Sequence, residues 1–191
     1  MDYEPSVILR RDQVRMISKF FRRMFKIRTI KFPVLRVLDL LELKFSNNLY
    51  YIVDENENFA SNVMAVLETE DYEHFCIKIR QSVYDRALLG DGASLGYICH
   101  EMCHFILIYV FGIVPKPYKS SSGMILAKTV SNRPGKPYMS MEWQAKALCG
   151  EVMIPYEKCK KYSLRKIVKK TNSSYDQARY FLNHVVKENE S

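Results

Sequence analysis

The sequence predicts an α+β fold, with a small antiparallel sheet packed with helices. Three observations carry that expectation. Apolar residues recur at helical spacing near both ends of the chain, short strand-like runs fill residues 49–79, and a long apolar helix follows a Gly-Asp-Gly break at 90–92. With 191 residues, 48% hydrophobic and 26% charged, the chain has the length and mix of one domain with a proper core. Thirteen tyrosines and ten phenylalanines argue against disorder along most of it.

Taken in order, Val14, Ile17, Phe20, Phe21 and Met24 mark one amphipathic helix within residues 8–27. Pro33 stands where helices start, and Val34 to Leu43 continues as a second, more apolar helix. Leu49 to Val53 reads as a strand ending at the polar turn Asp54 to Asn58. Val63 to Leu67 and Phe75 to Ile79 are two further strands, the second alternating Phe75, Ile77, Ile79 against Cys76, Lys78, Arg80. A long helix is expected from about Ser94 to Phe111. Residues 115–140, with four of the seven prolines, read as a long loop or flap with one short strand. Ser140 is a good N-cap for a helix from Met141 to Met153, closed off by Pro155. The last helix spans Tyr175 to Val186, capped by Asn172, Ser173 or Ser174. These elements group as N-terminal helices (1–45), a core (46–155) and a C-terminal helical segment (156–191) of a single domain.

Composition narrows the classes of function. The N-terminal Met1 to Pro5 has neither the basic start nor the apolar run of a secretory signal. The apolar run Phe105 to Val114 is far short of the roughly 20 residues that span a bilayer. It reads as part of a buried core helix, so no membrane partner is expected. The five cysteines (Cys76, Cys99, Cys103, Cys149 and Cys159) are odd in number and contain no CxxC pair. They read as buried free thiols in a reducing cytoplasm. The net charge of +8 concentrates near the two ends and reads as the solvated faces of amphipathic helices. No two-helix DNA reader stands out there, and direct nucleic-acid binding is not expected.

The chemistry centres on His100-Glu101-Met102-Cys103-His104, an HExxH motif on the expected long helix. Residues i and i+4 share a helix face, so both imidazoles can reach one ion, and Glu101 lies about 100° around from His100. Neutral imidazoles suit zinc, and the neighbouring carboxylate can take a proton from water. A catalytic zinc site wants a third protein ligand. Leu107 and Val110 occupy the places where HExxHxxGxxH would put glycine and the third histidine. His74, His184 and downstream carboxylates are the candidates. Glu142 is favoured because it opens a helix after Ser140, with Ala145 leaving room for close packing against the motif helix; Glu151 faces another side and Glu157 lies beyond Pro155. Tyr97, Tyr109 and Tyr138 are possible donors to a developing oxyanion, and nothing in the sequence chooses between them. The strand carrying Phe75, Ile77 and Ile79 is read as a sheet edge that an extended substrate could join by strand addition.

HEMCH, followed by Glu142-Trp143-Gln144-Ala145-Lys146-Ala147-Leu148-Cys149 and an apolar run ending in Met153-Ile154-Pro155, resembles the ImmA/IrrE metallopeptidases. Their pattern is HExxH, then ExxAxxFA, then an apolar run to Met-Pro. Phe32-Pro33-Val34, Val83 to Ala87 and Tyr175 to Leu182 extend the resemblance over most of the chain. Cys103 replaces a glycine common in the family, and Leu148-Cys149 replaces Phe-Ala. The resemblance implies a zincin-like fold with HExxH on a central helix and one Zn2+ held by His100, His104 and Glu142. It implies Glu101 as catalytic acid/base and, as substrate, a helix-turn-helix repressor of a mobile element or stress response. A non-catalytic HExxH-fold regulator that binds and sequesters a partner protein is the alternative.

Overall fold

The computed structural model describes residues 3–119, 125–127 and 140–187. It is a mixed α+β fold in which helices dominate and one three-stranded sheet flanks a central helix.

The first helix, α1 (Arg11–Met24), buries Val14, Ile17 and Phe21, while its basic residues largely face outward. The exception is Arg22, whose buried guanidinium bonds the carbonyls of Val152, Thr29 and Ile30 and ties α1 to the chain around it. After Pro33 comes α2 (Val34–Lys44), burying Val34, Val37, Leu38 and Leu41.

The strands are β1 (Leu49–Asp54), β2 (Ala65–Thr69) and β3 (Phe75–Arg80), in spatial order β1-β3-β2. β3 pairs antiparallel with β2 but parallel with β1, so the sheet is mixed and not wholly antiparallel as expected. β3 takes the central place because it is the most apolar strand: Phe75, Cys76, Ile77 and Ile79 are all buried, whereas β1 and β2 are only partly covered.

β3 runs straight into α3 (Gln81–Leu88), a helix the sequence did not announce, because no Ser, Thr, Asp or Asn caps its start. Asp91 then caps α4 (Gly92–Phe105), its carboxylate accepting from the Ser94 N–H at 2.8 Å. The axis continues as a π-helical segment, Ile106–Val110. Together Gly92–Val110 is long and apolar enough, by length and composition, to cross a membrane; in this fold it is the central core helix.

Of the expected loop, β4 (Pro117–Lys119) and β5 (Ile125–Ala127) form a short antiparallel pair. Residues 3–6 run beside 114–116, and the Met141 N–H donates to the Tyr3 carbonyl at 2.8 Å. The N-terminal stretch thus joins the end of the central helix to the start of α5 (Met141–Met153). The chain closes through α6 (Tyr156–Cys159), α7 (Leu164–Thr171) and α8 (Tyr175–Tyr180), the last extended by a π-helical turn at Phe181–Val186. One apolar core includes residues from α1 through Val186.

Candidate metal centre

Two helices build the site. The buried residues of α4 (Leu95, Ile98, Cys99, Met102, Cys103 and Phe105) fix its rotation in the core. That rotation leaves His100 and His104, one turn apart, on the open side. At its N-terminus α4 meets the turn before α8 so closely that a Cβ on Gly92 would lie 2.7 Å from Ser173 C and 2.8 Å from Asn172 O. Glycine is required there.

The second helix, α5, starts at Ser140, whose Oγ accepts from the Trp143 N–H at 2.9 Å. It packs on α4, and Ala145 and Leu148 on it are fully buried. From the other side α1 holds α5: Arg15 reaches Glu151 at 3.1 Å across an ion pair whose acid is only 2% exposed. Glu151 is therefore a structural partner of Arg15 and not a ligand, and Glu157 pairs with Lys160.

With both helices set, Glu142 comes onto the two imidazoles. His100 Nε2 lies 3.1 Å from His104 Nε2 and 3.2 Å from Glu142 Oε2. His104 Nε2 lies 3.2 Å from Glu142 Oε1. Bonds of about 2.0–2.1 Å at tetrahedral angles would place neighbouring zinc ligands roughly 3.3 Å apart. The two imidazole nitrogens lie near that spacing from each other, and each lies near it from one oxygen of Glu142, His100 meeting Oε2 and His104 meeting Oε1. One ligand atom from each residue falls within 4.8 Å of the others, and their chemistry, two imidazoles and one carboxylate, suits that ion. Among the described residues this is the one His/Cys/Asp/Glu group spaced to hold a metal. The hydrogen bonds from His100 and then His104 hold the Glu142 carboxyl far below its ordinary range, so it is ionised and acceptor-only. For His100, burial pulls the imidazole down, but the bond to Glu142 and the charge of Glu101 outweigh it and raise the net value.

Glu101 is buried beside this group, and its Oε2 accepts from the Leu67 N–H at 2.8 Å. Burial raises its pKa, against the opposing pull of the two histidines and the Leu67 N–H. Leu67 belongs to β2, an edge strand of the sheet, and this bond lies on its unpaired side. The Arg80 N–H donates to the Met64 carbonyl, so residues 64, 66 and 68 direct their backbone groups at β3. Residues 65, 67 and 69 direct theirs outward, into a cleft of about 1050 Å³ that also holds His100, Glu101, His104 and Glu142. The expectation that Phe75, Ile77 and Ile79 offer a substrate edge is therefore corrected. β3 is paired on both sides, and those three side chains are buried in the core.

Of the tyrosines, Tyr97 stands one turn before His100 and lines the cleft. Tyr109 does not: the wide π-helical turn carries it onto Phe105 in a stack at 5.2 Å, with edge contacts to Phe45 and Phe75. Tyr138 lies outside the described residues. His74 is exposed and bonds Asp71 at 2.6 Å, and His184 sits on Tyr180, so neither joins the metal group. Cys99 and Cys103 are fully buried, within reach of Cys149 on the core side. Sequence reasoning missed Lys146, which lines the cleft with Nζ 3.8 Å from Glu142 Oε2. Its signal was its place four residues after Glu142 on the same helix face.

Comparison with known proteins yields no matching family model, no matching curated protein and no matching solved structure.

Proposed function

We propose that this chain is a zinc-dependent endopeptidase of the ImmA/IrrE kind, acting in the cytoplasm on a helix-turn-helix repressor. The observation that supports it best is the convergence of His100, His104 and Glu142, with one ligand atom from each within 4.8 Å of the others, and Glu101 beside them in a cleft bordered by an outward-facing strand edge. Of the residues that suggest the family, His100, His104 and Glu142 meet in space. The choice of a repressor as substrate rests on that resemblance, and the cytoplasmic location on five buried free thiols.

His100, His104 and Glu142 would hold the ion. Zinc bound there would supply a Lewis acid that acidifies water and polarises a carbonyl. The chain's own residues do the rest. The outward backbone groups of Ala65 and Thr69, with the Leu67 carbonyl whose own N–H is taken by Glu101, bind an extended peptide by strand addition and so orient its scissile bond along the cleft. As water adds to the carbonyl carbon, the Glu101 carboxylate takes its proton and passes it to the departing amine nitrogen when the C–N bond breaks. Burial, by raising the proton affinity of Glu101, suits it to both halves of that transfer. Tyr97 and Lys146 stand along the cleft where a hydroxyl or an ammonium can meet the charge developing on the carbonyl oxygen.

The test is incubation with the helix-turn-helix regulator encoded beside this gene, with and without chelator, read by mass spectrometry. Cleavage at one site is expected, abolished by chelation. Glu101→Gln should lower the rate by about 10²–10⁴-fold with the fold intact. Cleavage at the wild-type rate in that variant would refute the mechanism.

A further inference from the structure

A second cavity, of about 590 Å³, opens beside His100 toward the N-terminal half of α4, between α4, α5 and the C-terminal helix. Its walls are mainly apolar, with Trp143 and Ala147 on one side and Phe181 and Val185 on another. Tyr97, His100 and Lys146 line both this cavity and the metal cleft, so a peptide lying across the metal group passes its mouth.

Two glycines keep the space open. Gly150 lies in the interior of α5, where glycine is less favourable than alanine. No close packing compensates, because a Cβ built on it meets nothing within 4 Å. On Gly96 of α4 the nearest atom to such a Cβ is Gln177 Oε1 at 3.9 Å. This is the opposite of Gly92, where the backbone of the neighbouring turn forbids any side chain. At 96 and 150 the absence of side chains leaves volume that no part of the described chain fills.

We propose that this cavity is the specificity pocket of the peptidase and receives a bulky apolar side chain (Leu, Met, Phe, Tyr or Trp) from the substrate residue flanking the scissile bond. The proposal rests on the peptidase reading for its occupant. The occupant follows from the shared walls, the apolar lining and a volume ample for one large side chain.

The test compares two metal-chelating probes, phenylalanine hydroxamate and glycine hydroxamate, titrated calorimetrically into zinc-loaded protein. Phenylalanine hydroxamate should bind at least about tenfold tighter, the return for burying its ring. Gly150→Leu, which fills the pocket, should erase that preference and leave glycine hydroxamate binding unchanged. Gly150→Ala should reduce it in part, with circular dichroism confirming that both variants fold. Measurable binding of both hydroxamates with equal affinity in the wild type, or a preference that survives Gly150→Leu, would overturn the proposal. A third probe without a chelating group, N-acetylphenylalanine amide, separates the pocket from the metal reading. Amide shifts at Gly96 and Gly150 on adding it to metal-free protein support the pocket even if neither hydroxamate binds, a result that would sink the zinc assignment alone. No shifts with this probe would overturn the pocket.

Discussion

Arg15→Met would break the pair that fastens α5, and with it Glu142, to α1. The methionine keeps an apolar stem over the Tyr156 ring, which the Arg15 guanidinium now covers at 3.8 Å. What is lost is the partner of Glu151, an acid 2% exposed whose Oε2 already makes no hydrogen bond. Removing one member of a buried pair costs about 3–5 kcal/mol. Because Arg15 itself is 15% exposed, the lower end applies, about 3 kcal/mol. At roughly 2–4 °C per kcal/mol for a chain of this size, the midpoint should fall by about 6–12 °C. The pH dependence has a definite sign. Burial raises the folded-state pKa of Glu151 above its ordinary value even with Arg15 present. The folded state therefore holds this proton more tightly than the unfolded one, and stability from it is full at low pH and lost as pH rises through the folded pKa. The defect should be large at pH 7.5 and smaller near pH 4.5, because the raised pKa shifts Glu151 toward its neutral form as pH falls. Replacing both residues, as Arg15→Met with Glu151→Leu, should recover most of the loss. Thermal melting followed by circular dichroism reads all of this. A variant that melts within 2 °C of wild type at pH 7.5, or a gap that does not narrow in acid, would refute the reasoning.

Gly92→Ala should destabilise by about 3 kcal/mol, since its Cβ meets fixed backbone at 2.7 Å, and chemical denaturation would show the drop. All five cysteines are buried, so the native protein should release less than one equivalent of chromophore to a thiol reagent within minutes, and five on unfolding. Burial pushes the Cys159 thiol up to about 11. The stability it lends is therefore intact at pH 8 and lost as pH climbs from its ordinary value toward 11, which melting between pH 8 and 11 would register.

The chemical residues were legible because helix geometry is local. Spacing of four put His100 and His104 on one face, and Ser140 announced the helix that begins just before Glu142. What joined those helices was also readable in part, since Ala145, expected to allow close packing, is fully buried. The sheet was not legible in the same way. The alternation of Phe75, Ile77 and Ile79 describes a strand but not its neighbours, and strand order is decided by pairing with residues some 25 positions earlier, at Leu49–Asp54. The edge that faces the site was hidden for the same reason: Ala65–Thr69 has no special composition, and only its pairing with β3 and its bond to Glu101 reveal it. Tyr109 was misdirected by a π-helical turn that ordinary helical spacing does not anticipate. The helix α3 escaped notice because no side chain caps its start, and within the expected helical segment 156–191 the short helices α6 and α7 were not separately bounded.

Zinc titration against a chromophoric chelator, on the wild type and on Glu142→Ala, tests the metal centre most directly. The wild type should take up one ion per chain, and Glu142→Ala should bind it at least about tenfold more weakly, since a ligand is lost and not merely an outer-shell partner. A wild type that takes up no zinc, or a Glu142→Ala variant of unchanged affinity, would contradict the assignment of His100, His104 and Glu142 as one site.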